Sequence, residues 1–433
     1  MTDQGFLLRR VETVEHYRDA GGGLALGRAR VLGPEAVAAE IRASGLRGRG
    51  GAGFPTGLKW QGMQREEAGP KFVVCNAAEG EPGTYKDRAL MQANPFQLVE
   101  GVALAAFAVG AEAAFIATKA RFAPEIDRLL SAMEQMAEWD MVGDIPITLV
   151  EGPDDYLFGE EKALLEVVAG RDPLPTLYPP YVQGVFAEPG SPNPTVVNNV
   201  ETLSNVPHIL QHGAEWFRSM GTPDSPGTMV FTVSGDVRHH GVVELPMGTP
   251  LSVLVHGFGE GLEEGRRIDA IVSGVSNVPL SPDQIDTPLS FEDMKEAGSG
   301  LGSGGFVVYD DTACIPQVAA ILSRFLWRES CGQCPPCKLG TAALTERFTI
   351  VAAGEGDGGD LEEALAWVER VTDANRCGLG AGQRALAQGF LERHWDDFVA
   401  HLETGCPEGH TPRPVPSIVS YDDDTGRFRY AAA

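Results

Sequence analysis

Four cysteines carry the clearest chemistry in this sequence. Cys331, Cys334 and Cys337 form a C-x2-C-x2-C motif, and Cys377 follows 40 residues after Cys337. Three thiols on one tight turn are well placed to share a single ion or cluster, and soft sulfur ligands suit iron–sulfur clusters or zinc. Zinc sites usually pair two C-x2-C knuckles. The spacing therefore favours a [4Fe-4S] cluster, with a four-cysteine zinc site and free thiols as the alternatives.

A glycine-rich cationic segment over residues 45–60 is typical of an anion site. It reads GLRGRGGAGFPTGLKW, so that Arg47, Arg49 and Lys59 accompany the glycines. Exposed backbone amides combined with fixed positive charge suit a phosphate group. The pattern is neither a Walker A loop nor a strand-led G-x-G-x-x-G. A flexible glycine hinge is the alternative, and the neighbouring cations argue against it.

A second polar loop directly follows a predicted buried strand, Lys71–Cys75. It reads NAAEGEPGTYKDR over residues 76–88 and includes Glu79 and Glu81. Open α/β sheets bind ligands just past the carboxyl ends of their strands. We therefore predict a ligand-binding loop here, with a solvated turn as the alternative.

Two further segments could serve either binding or local structure. Glu160 and Glu161 open a predicted helix, where carboxylates suit the helix dipole whatever the function, so capping is slightly favoured over catalysis. Tyr178 and Tyr181 flank two prolines, and rigid aromatic rings can stack on a nucleobase or simply pack on the surface.

The elements that must position these residues alternate between strand and helix, which predicts a parallel sheet covered by helices. Predicted strands span 71–75, 114–118 and 145–150, and predicted helices span 34–44, 96–111, 124–137 and 158–168. The pair Asn198-Asn199 has a cap-like pattern that enters another helix. Residues 228–275 predict a small mixed α+β module, and residues 315–402 predict helices that carry the four cysteines. Residues 1–33 are expected to be irregular, and the tail from Pro407 extended.

Composition limits the classes of partner. The chain has 433 residues, enough for two to four domains, and a net charge of −26 that disfavours nucleic acid and bare anionic membranes. Its seven cysteines are too few and of odd number for a disulfide framework, which indicates a reducing cytoplasm. Cys314 and Cys406 are interpreted as ordinary thiols, and the nine histidines show no ligand spacing. The most apolar run, Gly101–Ala111, is too short to span a bilayer.

Three motifs together resemble one family. They are RGRGGAGFPTGLKW over 47–60, NAAEGEPGTYKDR over 76–88 and ESCGQCPPCKLGT over 329–341. They resemble the NADH-oxidising flavoprotein subunit of respiratory complex I, NADH:quinone oxidoreductase, which binds FMN and a [4Fe-4S] cluster. The same family includes diaphorase subunits of NAD-linked hydrogenases and formate dehydrogenases. The similarity runs in the same order from about residue 30 to residue 405.

The resemblance implies an α/β fold in several parts. A Rossmann-like FMN-binding domain is followed by a β-grasp (soluble-ligand-binding) module and a C-terminal helical bundle that carries the iron–sulfur cluster. The implied boundaries are 1–33 for an N-terminal extension, 34–222 for the FMN/NADH-binding domain, 223–297 for the β-grasp module, 298–405 for the helical [4Fe-4S] domain and 406–433 for the tail.

The resemblance also implies site residues. The cofactor-binding residues would be Gly48, Arg49, Gly50, Lys59, Asn76, Glu79, Gly159, Glu160, Asn198 and Asn199. The residues beside NADH would be Phe54, Glu81, Glu161 and Tyr181, and the cluster ligands would be Cys331, Cys334, Cys337 and Cys377. No side chain is expected to act as a catalytic acid or base. The family usually has an acidic residue where Ala78 stands and a lysine where Tyr178 stands.

The implied function is electron entry. An NADH dehydrogenase flavoprotein subunit oxidises NADH by hydride transfer to FMN and passes single electrons through a [4Fe-4S] cluster to partner subunits. The expected partners are a thioredoxin-like [2Fe-2S] subunit and a larger iron–sulfur subunit. The expected location is the cytoplasm, with membrane association only through those partners at the cytoplasmic face. The alternative is a diaphorase-type paralogue that serves a hydrogenase, a formate dehydrogenase or another redox partner, with an altered electron donor.

Overall fold

The computed structural model describes residues 5–422 and 425–431, so the remaining residues of the predicted N-terminal extension and C-terminal tail lie outside the described part. The chain divides into two compact units. The first comprises the residues up to Gly80, Tyr85–Val230 and Val242–Thr249. The second comprises Glu81–Thr84, Phe231–Gly241 and the residues from Pro250 onward.

A parallel four-stranded sheet forms the centre of the first unit. Its strands are β1 (Phe72–Ala77), β2 (Ala113–Lys119), β3 (Ile147–Gly152) and β4 (Thr195–Asn199), in the spatial order β3-β2-β1-β4. The prediction of a parallel sheet is confirmed, and its three predicted strands appear within a few residues of their expected bounds. Strand β4 was missed because its five residues, TVVNN, hold only two apolar side chains.

Ten helices among the described residues belong to the first unit. They are α1 (Val14–Asp19), α2 (Leu24–Leu32), α3 (Pro34–Ser44), α4 (Thr56–Gln64), α5 (Lys86–Ala93), α6 (Pro95–Val109), α7 (Ala123–Glu138), α8 (Glu161–Val168), α9 (Val200–His212) and α10 (Ala214–Arg218). A 3-10 turn, Tyr156–Gly159, precedes α8. The apolar run near residue 101 lies in α6, which is buried along almost its whole length.

The expectation of an irregular N-terminal segment is wrong over the described residues. Thr13 caps α1 by accepting a hydrogen bond from the His16 amide, and α2 follows after three glycines. The Glu100 carboxylate accepts hydrogen bonds from the Tyr17 hydroxyl at 2.5 Å and from the Leu26 amide at 3.1 Å. Tertiary burial against α6 stabilises two helices that are too short to show a clear period in sequence.

A second sheet has the strand order β6-β5-β8-β7. Its strands are β5 (Thr228–Gly235), β6 (Gly241–Pro246), β7 (Ile268–Ser273) and β8 (Gly305–Asp310). Strand β8 runs parallel to β5 and antiparallel to β7. With the π-helical turn Val253–Phe258 and helix α11 (Phe291–Glu296), this confirms the predicted mixed α+β character.

Five further helices in the described part of the chain belong to the second unit. They are α12 (Ile315–Glu329), α13 (Pro335–Ala352), α14 (Gly358–Arg370), α15 (Leu379–Arg393) and α16 (Trp395–Thr404). The predicted helical region is therefore confirmed. In the tail, β9 (Ile418–Asp422) and β10 (Arg427–Tyr430) pair antiparallel. No helix among the described residues has the length and apolarity needed to cross a membrane.

Candidate cofactor sites

The first candidate site lies at the point where the order of the parallel sheet reverses. From β1 the chain adds β2 and then β3 on one side, whereas β4 pairs with the opposite edge of β1. In that pairing Asn76 is opposite Asn199, and Cys75 is opposite Asn198. Ligands of open α/β sheets bind outside the carboxyl ends of strands at such a switch point. The structure thus brings together three asparagines that lie far apart in the sequence.

The predicted phosphate loop is closed by its own hydrogen bonds. The Gly48 amide donates to the Phe54 carbonyl at 2.9 Å, and the Thr56 amide donates to the Leu46 carbonyl at 2.9 Å. The Arg47 side chain donates to the Gly53 carbonyl at 2.8 Å. These bonds hold the loop in a defined shape, which argues against a flexible hinge. Helix α4 begins directly after the loop.

The loop is also anchored to the start of α9. The Arg49 amide donates to Thr202 Oγ1 at 2.8 Å, and a Cβ atom on Gly50 would lie 3.1 Å from the Asn199 Cβ. The Arg49 side chain is fully buried, and its Nη2 atom donates to the carbonyls of Pro226 and Thr228. Burial lowers the pKa of Arg49 to about 10. Arg49 therefore anchors the loop through its guanidinium group.

Lys59 places a positive charge at the end of β4. Its Nζ atom donates to the Val197 carbonyl at 2.8 Å and to Glu161 Oε2 at 3.2 Å. The neighbouring indole of Trp60 donates to Asn198 Oδ1 at 2.9 Å and so orients that side chain. Neither Trp60 nor Thr202 was identified from the sequence, because their roles depend on which elements pack together.

The end of β1 contacts the turn before α8. Asn76 Nδ2 donates to the Gly159 carbonyl at 2.7 Å, and a Cβ atom on Gly159 would lie 3.2 Å from the Ala78 carbonyl oxygen. Glu160 accepts hydrogen bonds from the Lys162 and Ala163 amides and caps α8. The capping interpretation of Glu160 is therefore confirmed. Burial raises the pKa of Glu160.

The loop after β1 is buried, so its interpretation as a solvated turn is wrong. Glu79 accepts hydrogen bonds from the Asp87 amide at 3.0 Å and from Arg88 Nε at 3.2 Å, and burial raises the pKa of Glu79. The fully buried Lys86 lies 2.7 Å from Asp87 and 2.9 Å from Glu201. Burial alone would lower the pKa of Lys86, but the two neighbouring carboxylates raise it above its usual value.

The buried ion pairs connect directly to the switch point. Asn199 Nδ2 donates to Asp87 Oδ2 at 2.6 Å, and Lys86 Nζ donates to Asn199 Oδ1 at 3.3 Å. The pairing of Lys86 with Glu201 was missed from the sequence, because the two residues lie on different helices that are far apart in the chain.

The residues predicted to lie beside NADH are placed differently from one another. Phe54 and Tyr181 expose 57% and 56% of their surface, which leaves both rings accessible. Glu161 lies on α8 and pairs with Lys59. Glu81 belongs to the second unit, where its carboxylate accepts a hydrogen bond from the Val275 amide at 2.6 Å.

The four predicted cluster cysteines lie around the start of α13. Cys334 is the N-cap of this helix, and Cys337 is in its first turn. The Arg376 amide donates to Cys334 Sγ at 3.2 Å, which brings the neighbouring Cys377 to the same turn. A helix N-terminus favours the negative charge of ligating thiolates.

The close environment of these cysteines is mostly polar. Gln333 Nε2 donates to Cys331 Sγ at 3.4 Å, and Ser330 Oγ lies 3.3 Å from Cys337 Sγ. Burial raises the pKa of Cys337, and the nearby Cys331 and Cys334 thiols raise it further. Three of the four cysteines are partly exposed, and Cys337 is buried.

The sulfur atoms of the four cysteines are not gathered as tightly as the ligands of one zinc ion. These four cysteines are all among the described residues. No three of them have sulfur atoms that all lie within 4.8 Å of one another. Tetrahedral zinc with Zn–S bonds of about 2.3 Å would hold its sulfurs about 3.8 Å apart. No three of these sulfurs are therefore as close together as the ligands of one zinc ion, and the four-thiol donor set suits a four-iron cluster.

Comparison with known proteins identifies the family. A model described as the Nuo51 FMN-binding domain matches residues 41–208, and one described as the NADH-ubiquinone oxidoreductase-F iron-sulfur binding region matches residues 317–401. An F subunit of the NADH-quinone oxidoreductase of Rhizobium meliloti is 38% identical over 420 residues, which cover 93% of this chain and 98% of the relative. This chain belongs to the family of NADH-quinone oxidoreductase F subunits.

Other relatives agree with this assignment. The F subunit of the NADH-quinone oxidoreductase of Streptomyces coelicolor is 36% identical over 407 residues, which cover 91% of this chain and 89% of the relative. A chain in the crystal structure of NAD+-reducing [NiFe]-hydrogenase in the H2-reduced state has a TM-score of 0.80 and 34% identity, covering 91% of this chain and 68% of that chain.

As a family member, the chain is an NADH dehydrogenase flavoprotein subunit with FMN and a [4Fe-4S] cluster as its cofactors. The residues present fit both groups. Around the switch point, Gly50 and Gly159 occupy positions where a side chain would crowd Asn199 or Ala78. Around the start of α13, four thiols are available as soft ligands for a cluster.

Proposed function

We propose that FMN lies at the switch point between β1 and β4. The supporting observation is that the glycine loop and the ends of both strands converge there, together with Lys59. The residues proposed to hold the cofactor are Gly48, Arg49, Gly50, Lys59, Asn76, Glu79, Gly159, Glu160, Asn198 and Asn199.

The chemistry of each residue indicates which part of FMN it would bind. The loop amides and the Lys59 ammonium suit the phosphate, because they offer hydrogen-bond donors and positive charge. Asn76 and Asn198 suit the polar edge of the flavin ring, because amide side chains both donate and accept. Glu79 and Arg49 would act indirectly, since both side chains are buried and held by neighbouring protein groups.

We propose that NADH stacks between exposed aromatic rings of the first unit. Phe54 and Tyr181 are exposed aromatic residues, which suits an adenine. Glu161 would accept hydrogen bonds from the nucleotide's hydroxyl groups, and the family resemblance proposes Glu81 as a further NADH residue. Bound FMN accepts a hydride and releases single electrons, which connects a two-electron donor to a one-electron cluster. The protein therefore needs to align the donor rather than to supply an acid or base.

We propose that Cys331, Cys334, Cys337 and Cys377 ligate the cluster, from which electrons pass to partner subunits. The expected partners are a thioredoxin-like [2Fe-2S] subunit and a larger iron–sulfur subunit. None of the seven cysteines, all of which the structure describes, forms a disulfide, which is in keeping with the proposed reducing cytoplasm. Membrane attachment would then come only through partners. The domain boundaries proposed from sequence are 34–222, 223–297 and 298–405.

A second candidate function is reduction of NAD+ by electrons from a hydrogenase or a related enzyme. Two observations favour it: the similarity to a chain of an NAD+-reducing hydrogenase, and the neutral Ala78 and Tyr178 at positions where the family usually has charge. A change of charge beside a flavin shifts its potential, and so shifts the preferred direction of electron flow.

An anaerobic NADH titration of the purified protein, followed by visible absorbance and EPR, tests the main proposal. We expect flavin bleaching and a reduced-cluster signal. Flavin and cluster that respond to dithionite and not to NADH would favour an altered donor.

Pocket variants separate NADH binding from flavin binding. Phe54→Ala and Glu81→Gln should lower NADH turnover about tenfold or more with FMN content unchanged, because each removes a nucleotide contact. Leu24→Ala is the matched control, because Leu24 is similarly exposed at 62% and lies on α2. Normal turnover in both pocket variants would contradict the proposed NADH site.

A further inference from the structure

Three potential metal ligands converge in the second unit, apart from the four cluster cysteines. The ligand atoms of Cys314, His401 and Cys406 all lie within 4.8 Å of one another. Cys314 and His401 are buried, and Cys406 is exposed. The sequence did not predict this group, because Cys314 and Cys406 are far apart in the chain and share no knuckle motif. Their interpretation as two unrelated thiols is therefore incomplete.

His401 is oriented as a ligand. Its Nδ1 atom lies 3.0 Å from the Val351 carbonyl oxygen, which can only accept a hydrogen bond. Nδ1 therefore carries the hydrogen, and the lone pair of Nε2 can accept a hydrogen bond or bind a metal ion. Nε2 lies 3.4 Å from Cys314 Sγ. A histidine that donates through one nitrogen to a backbone carbonyl and presents the other to a ligand cluster matches the usual support of metal-binding imidazoles.

The backbone positions both cysteines. Cys314 is the N-cap of α12. Cys406 follows Gly405, whose φ of 78° ends α16 and redirects the chain. Beyond Cys406, the tail returns to Cys314, because the Cys314 amide donates to the Thr411 carbonyl at 3.1 Å. The Thr411 amide in turn donates to the Thr312 carbonyl at 2.8 Å.

We propose that Cys314, His401 and Cys406 bind a zinc ion that fastens the C-terminal segment to the helical region. Two thiolates and one imidazole form a donor set that binds Zn²⁺ in preference to Mg²⁺ or Ca²⁺. The exposed Cys406 leaves a fourth position for water. The bound ion links the start of α12 to the end of α16, and binding releases the thiol protons.

The position of His401 favours an ion over a disulfide. A disulfide between Cys314 and Cys406 would need an oxidant and would make no use of an imidazole. A zinc site uses all three side chains and needs no oxidant. The two thiols lose only their protons when the ion binds. Two thiolates also balance the charge of one Zn²⁺ ion, which lowers the cost of partial burial.

Metal analysis of the full chain, purified with FMN and its cluster, tests this site. After dialysis against metal-free buffer, we expect about one zinc per chain in the unaltered protein. Cys314→Ser and Cys406→Ser should each lower zinc at least about tenfold, whereas iron and FMN stay unchanged. Cys75→Ala is the matched control, because it removes a thiol from strand β1 and should retain the zinc.

X-ray absorption at the zinc edge identifies the ligands without interference from iron or flavin. We expect two sulfurs at about 2.3 Å and at least one nitrogen at about 2.0–2.1 Å. A shell of four sulfurs would place the zinc in the cluster site instead and overturn the proposal. Equal zinc in Cys406→Ser and in the unaltered protein would also overturn it, as would a Cys314–Cys406 disulfide found by peptide mapping. Cys406→Ser decides the question if Cys314→Ser does not fold, because Cys406 is exposed.

Discussion

Two regions differ in how far their polar side chains are already buried and paired within the protein. They are the flavin side of the first unit, around Asn199, and the cluster turn of the second unit, around the start of α13. Around Asn199, charged side chains are buried and already paired, as with Lys86, Asp87 and Glu201. Around the start of α13, three of the four cysteines are partly exposed, and the thiols of Cys331 and Cys334 accept hydrogen bonds from neutral N–H groups.

This difference follows from the two cofactors. FMN is held by hydrogen bonds and charge, so its site gains from a rigid framework made beforehand. A cluster is held by covalent iron–sulfur bonds, and its binding energy helps to order the ligand turn. We therefore expect the flavin side to keep its structure when the cluster is absent, and the cluster turn to depend on its own ligands.

The largest expected effect is the loss of iron from the cluster turn while FMN stays bound on the flavin side. Cys334→Ser removes a soft ligand from the cluster turn, so about four irons per chain should be lost while FMN is retained. Iron and flavin analysis of the same preparation measures both. Cys406→Ser is the control, because its exposed thiol lies outside the cluster turn and should affect neither count. Loss of FMN together with the iron would show that the two sites do not form independently.

The next effect tests whether the buried charges make the flavin side rigid. Lys86→Met should lower the free energy of unfolding by about 3–5 kcal/mol, because it leaves Glu201 and Asp87 as uncompensated buried carboxylates. Urea unfolding followed by tryptophan fluorescence measures the change. Arg171→Met is the matched control: Arg171 pairs with Glu166 but is 48% exposed, so about 0–1 kcal/mol is expected. Equal effects from the two variants would contradict a rigid, charge-dependent framework.

A smaller effect concerns pH and the carboxylate of Glu244. Glu244 accepts hydrogen bonds from the Thr228 hydroxyl at 2.6 Å and the Leu7 amide at 2.8 Å, and burial raises its pKa to about 7. Between pH of about 4.5 and 7 the folded protein holds a proton that the unfolded chain has released. Stability should therefore fall as pH rises through this window, by on the order of 2–3 kcal/mol, and level off above it.

The variant Glu244→Gln isolates that contribution, because an amide cannot ionise. Its unfolding free energy should depend less steeply on pH between 4.5 and 7 than that of the unaltered protein, by the amount given above. Glu138→Gln changes an exposed carboxylate on α7 and should leave the slope unchanged. An unaltered slope in Glu244→Gln would show that Glu244 is ionised in the folded protein.

Some features of the sites could be predicted because their information is local. The C-x2-C-x2-C spacing, the glycine-rich loop and the polar residues after Cys75 lie within short stretches of chain. The helical character of residues 315–402 and three strands of the first sheet could also be predicted from local patterns. For these, neighbouring residues alone decide the local structure.

Other features depend on residues far apart in the chain. Strand β4 is stable because it pairs with β1, and α1 and α2 are stable because Tyr17 and Leu26 bond to Glu100. Arg49 was predicted among the flavin residues from its place in the loop, yet its side chain turns inward to two backbone carbonyls.

The sequence by itself determined the family and the two cofactors and predicted the cysteines of the cluster, because ligand types and short spacings can be read along the chain. Only the tertiary structure decided which charges are paired inside the first unit and that Cys314, His401 and Cys406 meet in the second. The physical reason is that ion pairs and metal ligands act over a few ångströms of space. Residues that are distant in the sequence come within that range only after the chain has packed its helices and strands.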